Sequence, residues 1–175
     1  MATVPNLATH YAGARWRAAD VNTFGTAVNF ANKTYACRVY NGSTQSIATG
    51  GGGDLLTFGS EYSDAYGWHD AGLPERITPA YPGWYHIVGN VSFATNATGL
   101  RLLTIQVNSP GAANVTAAQA PATASFPVSL NVSTVVYLNG TTDYVTMLAY
   151  QNSGAALNTS IITSATYFTA VLLGA

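Results

Sequence analysis

Three histidines, one cysteine and seven acidic residues are the groups from which this chain could build a reaction centre. His10, His69 and His86 are widely separated, and no pair has the spacing of metal ligands, which argues against a zinc site. Glu61, Asp64, His69 and Asp70 cluster in one stretch and offer oxygens for a weak calcium site. They lack a liganding spacing built around a defined turn, so a solvated polar loop is the favoured reading. Gly50-Gly51-Gly52-Gly53 is not followed by Lys-Ser/Thr and a helix, so it is not a phosphate loop. No Gly-x-Ser-x-Gly elbow is present to activate a serine, and nothing in the sequence brings Cys37 to His86 as nucleophile and base. A glycosidase needs two placed carboxylates, and Asp143 stands apart from the other acids. The expectation is a chain that is not an enzyme and holds neither metal nor cofactor.

Composition narrows the remaining classes. A chain of 175 residues suffices for one domain that buries roughly 70% of its unfolded surface. Hydrophobic residues make up 48% of it and charged residues only 7%, against about 25% charged in an average soluble domain. Its polar surface must therefore come from Thr, Asn, Ser, Gln and Tyr. A net charge of −1 with scattered cations leaves no footprint for nucleic acid or an anionic membrane. No apolar run approaches the roughly 18 residues of a membrane span. Cys37 reads as a small buried hydrophobe. The start "MATVPNLATHYAGARWR" lacks a basic segment followed by a hydrophobic one, so no secretion signal is expected. The Asn-x-Ser/Thr triplets at Asn32, Asn90, Asn96 and Asn114 then follow from Asn/Thr richness, and the chain is expected to fold in a cytosol.

The elements that must position these residues are mostly strands. Residues 1 to about 14 read as extended. From Ala18 to Ala31 the apolar spacing becomes helical, with Val21, Phe24, Val28 and Ala31 on one stripe. Asp20 suits the positive N-terminal end of that helix, and Gly25 weakens it by about 1 kcal/mol relative to alanine. Strands are expected at 35–40, 54–58, 84–93, 101–108, 126–138, 143–151 and 161–173. Residues 59–76 read as a polar loop holding most of the charge, and the Ala/Pro-rich piece at 109–125 as a long loop. "PAYPGWYHIVGNVSF" (79–93) is the most informative stretch. Pro82-Gly83 makes a stiff turn, beyond which Tyr85, Ile87, Gly89, Val91 and Phe93 share one face. Trp84, His86, Asn90 and Ser92 oppose them. Short strands with Gly, Pro and Asn punctuation predict an all-β antiparallel jelly-roll sandwich over residues 35–175, carrying an N-terminal arm with a short helix over residues 1–34.

Taken in order, five segments resemble the globular head of complement component one, subcomponent q, in the tumour-necrosis-factor-like jelly-roll superfamily. They are "ACRVY" (36–40), "LLTFGSEYSDAYGWHD" (55–70), "RITPAYPGWYHIVGNV" (76–91), "LNGTTDYVTM" (138–147) and "TYFTAVLLGA" (166–175). Thr141 and Thr142 depart from that family's usual Gly-Asp-Tyr-Val element. The resemblance implies a homotrimer of wedge-shaped jelly rolls, and Tyr144, Tyr150, Tyr167 and Phe168 are the expected residues near its threefold axis. Residues 1–34 do not resemble the Gly-X-Y stalk of the animal members. "RWRAADVNTFGTAVNF" instead resembles the short helical segment that precedes such domains in structural proteins of tailed bacteriophages. "YLNGTTDYV" and "AYQNSGAALN" (149–158) are similar to phage versions of the domain.

These resemblances imply a virion protein, assembled in the host cytoplasm and displayed on the particle surface as a trimeric decoration or short-fibre knob. Its expected partners are two further copies and phage capsid or tail proteins. Trp16, Val21, Phe24 and Val28 are the expected particle anchor, a helix folded back onto its own jelly roll being the alternative. A second function, a tail-tip protein that binds host cell-wall glycan, would use Tyr62, Tyr66 and Trp68 for stacking on sugar.

Overall fold

The computed structural model describes residues 15–108, 114–161 and 166–174. In chain order the described elements are α1 (Ala18–Ala31), β1 (Ala36–Asn41), β2 (Ser46–Ile47), β3 (Asp54–Leu55), β4 (Ser60–Asp64), β5 (Arg76–Ile77), β6 (Gly83–Phe93), β7 (Asn96–Val107), β8 (Asn114–Thr123), β9 (Val128–Leu138), β10 (Val145–Gln151), β11 (Leu157–Asn158) and β12 (Thr166–Gly174). Every pair of named strands is antiparallel. One sheet runs β4-β1-β12-β6-β9, the second runs β3-β10-β7-β8 with β5 also on β10, and β2 and β11 form a small third pair. The two large sheets face each other as a jelly-roll sandwich.

Period-two alternation fills the space between them. Cys37 and Val39, Tyr85 and Ile87, and Phe168 and Ala170 point inward from the first sheet, meeting Leu103, Ile105, Val145, Met147 and Ala149 from the second. Phe58 stacks on Phe168 with ring centroids 5.7 Å apart. The expected inward face of β6 is the observed one, Tyr85, Ile87, Gly89, Val91 and Phe93 all being buried.

The corner before β6 closes on two glycines. Gly83 has φ 155° and lies against the Gly174 carbonyl, where a β-carbon would collide. Gly140, at φ 69°, backs onto the Tyr81-Pro82 peptide, and a β-carbon there would overlap it. The phenol of Tyr85 then donates to the Tyr81 carbonyl at 2.7 Å. Turn and strand are thus tied by an aromatic residue that the turn itself delivers to the core.

Three expectations differ from the structure. The expected loop at 109–125 contains strand β8, whose residues pair with β7 from Asn96↔Thr123 to Gln106↔Asn114. Residues 109–113 lie outside the described ones. β8 is the edge of its sheet, and an edge accepts Pro121 because one side of the strand needs no ladder donor. The loop expected at 59–76 includes β4 and the first residue of β5. The strand expected at 54–58 is only Asp54–Leu55, and Leu56 and Phe58 reach the core from irregular backbone.

Candidate functional site: the outer face of the first sheet

Side chains alternate across each strand, so the residues opposite the core form the outer face of the first sheet. The register aligns them in rows: Tyr40 beside Tyr167 beside Asn90 beside Asn131, and Arg38 beside Thr169 beside Val88 beside Ser133. A third row runs from Ala36 through Val171 and His86 to Val135. Trp84 and Tyr137 are partners at the end of the face, with rings edge to face at 5.8 Å.

Two aromatic groups mark this face. At one end the Arg38 guanidinium lies between two rings, 4.6 Å from the centroid of Tyr167 and 5.4 Å from that of Tyr62. The irregular register between Arg38 and Val39, where β4 meets β1, is what brings Tyr62 over the arginine. Arg38, Tyr40, Tyr62 and Tyr167 enclose an open hollow of about 210 Å³. At the other end Trp84 is 52% exposed, Tyr137 53% and Val135 50%, while Tyr62 reaches 77%. Large apolar side chains left in water at both ends of one sheet face mark a contact surface. Arg38 places its positive charge against the faces of two aromatic rings, whose quadrupoles attract it.

The residues expected at a threefold axis do not share a surface. Tyr167 lies on the outer face just described. Phe168, the next residue, is fully buried against Phe58 because alternation turns it inward, so its expected place at an axis is corrected to the core. Tyr144 and Tyr150 belong to the β10 region of the other sheet, and Arg76 covers the Tyr144 ring at 4.8 Å.

The expected sugar platform is also divided. Tyr62 is exposed, but Trp68 is 1% exposed, packed edge-on against Tyr85 at 5.6 Å. Tyr66 is half-buried in a stack with Tyr35 at 4.5 Å and also contacts Tyr81. Trp68 therefore cannot meet a sugar without unfolding this corner. The aromatic spacing in the sequence reads as a loop rim, whereas burial makes Tyr66 and Trp68 the end plug of the sandwich.

The acidic cluster fastens that plug. Asp64 accepts the amides of Trp68 and His69 at 2.9 and 2.8 Å, and Glu61 meets His69 Nδ1 at 3.0 Å. Asp70 accepts the Gly72 amide of its own turn. Among the described residues, no group of three or more His, Cys, Asp or Glu could hold a metal ion. Cys37 points into the core and His86 to the outer face, so the sheet itself separates them. Burial, reinforced by Asp64, pushes the Cys37 thiol well above its ordinary range.

In the arm, Asp20 accepts the Arg17 amide at 2.8 Å, capping α1 as its sequence suggests. The helix has no buried residue. Trp16, Val21, Phe24 and Val28 are 55, 54, 46 and 38% exposed, Trp16 lying edge-on to Phe24. The C-terminal end touches the body, where Phe30 stacks on Tyr35 at 4.4 Å and meets Tyr81. The helix thus does not fold its stripe back onto its own sandwich.

Solved structures share this architecture. The globular domain of zebrafish complement 1qA aligns with a TM-score of 0.56 at 18% identity, covering 79% of this chain and 97% of that one. Murine APRIL aligns with a TM-score of 0.60 at 14% identity, covering 81% of this chain and all of that one. The jelly roll is of the tumour-necrosis-factor and complement globular-head type. Eiger, a tumour necrosis factor from S. frugiperda, aligns with a TM-score of 0.59 at 7% identity over 81% of this chain and 93% of that one. No protein-family model matches the chain, and no curated protein does. Sequence reasoning missed Arg38, Val135 and Tyr137 of the outer face. The signal for the last two was the same alternation in "VSLNVSTVVYL" that marks its inward residues.

Proposed function

We infer that this chain is a non-catalytic homotrimeric jelly-roll knob on the surface of a bacteriophage particle, attached through its N-terminal arm. The observation that carries the trimer is the outer face of the first sheet, with Trp84, Tyr137 and Val135 exposed at one end and Tyr62 at the other. A self-association surface is the use that fits a face so poor in charge, because like charges on identical copies would oppose each other. The phage setting rests on the resemblance of residues 15–30, 137–145 and 149–158 to phage virion proteins. The arm supports attachment because helix α1 buries none of its residues and meets its own sandwich through Phe30, which leaves the arm outside the knob. Three arms on one trimer would multiply modest affinities through avidity.

Sedimentation tests the assembly: the expected native mass is 54.6 kDa, three times the 18.2 kDa of one chain. A monomer at micromolar concentration would sink the reading. Immunogold labelling of particles tests the setting, with label over the shell expected for a head decoration. Label at the tail end would favour a receptor-binding tip, and unlabelled particles would remove the virion assignment. Deleting residues 1–33 is expected to release an intact trimer from the particle.

A further inference from the structure

The stripe on α1 has a narrower geometry than attachment to a flat surface needs. Val21, Phe24, Val28 and Ala31 follow spacings of three, four and three residues, the a and d positions of two heptads. The flanking e and g positions hold Ala18, Gly25, Ala27 and Asn32, all uncharged, and Asp20, whose carboxylate already accepts the Arg17 amide. A helix lying on a broad apolar surface shows a wider stripe that includes e or g. Here those positions are small or polar, which suits close approach of a narrow seam.

The way α1 is held points the same way. At about 100° per residue, Phe30 projects roughly 160–180° away from Val28 and Val21. Phe30 is the residue pinned on Tyr35 and Tyr81. The helix is therefore gripped by its back, and its seam faces away from its own domain. Resting on the trimer reading above, we propose that the occupants of this seam are the α1 helices of the two other copies. The three helices form a short parallel bundle at the arm end of the trimer, with Val21 and Val28 as a residues and Phe24 and Ala31 as d residues. A 14-residue helix is too short to associate alone. Three copies held together by their knobs meet at an effective concentration on the order of millimolar, which removes that limit. Trp16, edge-on to Phe24, then flanks the top of the seam.

Directed cross-linking in the full chain tests this arrangement. Phe24→Cys places a thiol in the seam and Asn22→Cys places one on the outer side of the same helix. The native Cys37 is buried and does not compete. Mild copper–phenanthroline oxidation of a sedimenting trimer should convert Phe24→Cys into covalent dimers, with the third chain free, and leave Asn22→Cys uncoupled. A trimer in which Phe24→Cys stays monomeric on a non-reducing gel overturns the bundle while the knob assembly stands. Equal coupling of both variants means mobile, unseamed helices and also overturns it. Any state other than a trimer in sedimentation overturns the assembly itself, and the bundle with it.

Discussion

Replacing Trp84 with alanine asks whether the outer sheet face holds copies together. In one chain Trp84 is 52% exposed and contacts Tyr137 edge to face. An aromatic pair of this kind contributes about 0.5–1.5 kcal/mol, so the monomer should lose no more than about 1.5 kcal/mol from this pair. In a trimer the exposed half of the indole is covered, and truncating a tryptophan that acts as an interface hot spot costs about 2 kcal/mol or more. Three copies lose that contact together, about 6 kcal/mol per trimer. At 1.4 kcal/mol per tenfold change, the trimer dissociation constant should rise by about 10⁴. Sedimentation velocity over a concentration series reads this directly, while the far-ultraviolet circular dichroism of the dissociated chain should stay unchanged. The double variant Trp84→Ala/Tyr137→Ala should sediment as a folded monomer at micromolar concentration. If both variants remain trimers with wild-type concentration dependence, the outer face is not the contact surface and the reasoning from its exposure fails.

Neighbouring positions on β12 should separate packing from assembly. Phe168→Ala empties a fully buried site against Phe58 and should cost about 3–5 kcal/mol, seen as a melting temperature lowered by roughly 6–20 °C. Tyr167→Ala, on the outer face, should weaken the trimer and leave the monomer's denaturant midpoint nearly unchanged. Arg101 is fully buried, and its guanidinium donates to the carbonyls of Thr98, Leu100 and Asn96 at 3.0, 3.0 and 3.3 Å. Arg101→Met should leave these acceptors unmatched and cost about 1–3 kcal/mol in urea unfolding, the loss falling on the β6–β7 hairpin by hydrogen exchange. Burial raises the Tyr85 phenol above its ordinary 10.0 and the Cys37 thiol above its ordinary 9.0. A raised folded pKa means that stability is fully present below the unfolded value and is lost as pH rises toward the folded one. The melting temperature should therefore hold to about pH 9 and fall beyond it, and Tyr85→Phe with Cys37→Ala should flatten that fall.

The sandwich was legible because alternation is a property of short range. In 84–93 each residue's face follows from its neighbours, and the Pro82-Gly83 turn sets the phase, so Tyr85 and Ile87 could be assigned inward without knowing their partners. The stripe of α1 was legible for the same reason, helical period being local. What alternation cannot specify is which strands become neighbours. The Ala/Pro-rich segment that became β8 carries weak strand propensity and a proline. It is a strand because β7 offers it a ladder and because an edge tolerates Pro121.

Burial of aromatics in irregular backbone was equally beyond local pattern. Tyr62, Tyr66 and Trp68 stand within seven residues of each other. One is open to water, one half-covered and one sealed, because Tyr35, Tyr81 and Tyr85 arrive from distant positions to cover the latter two. By itself the sequence determined the all-β class, the helix over Ala18–Ala31, the inward residues of the central strands and the poverty in charge. Tertiary structure alone decided that Arg38 lies between Tyr62 and Tyr167, that Trp84 meets Tyr137, and that Phe30 turns the helix seam outward. The first two are contacts between residues far apart in the chain, set by strand order and register, and the third needs Tyr81 to arrive beside Phe30. None of this is written in the periodicity of any one segment.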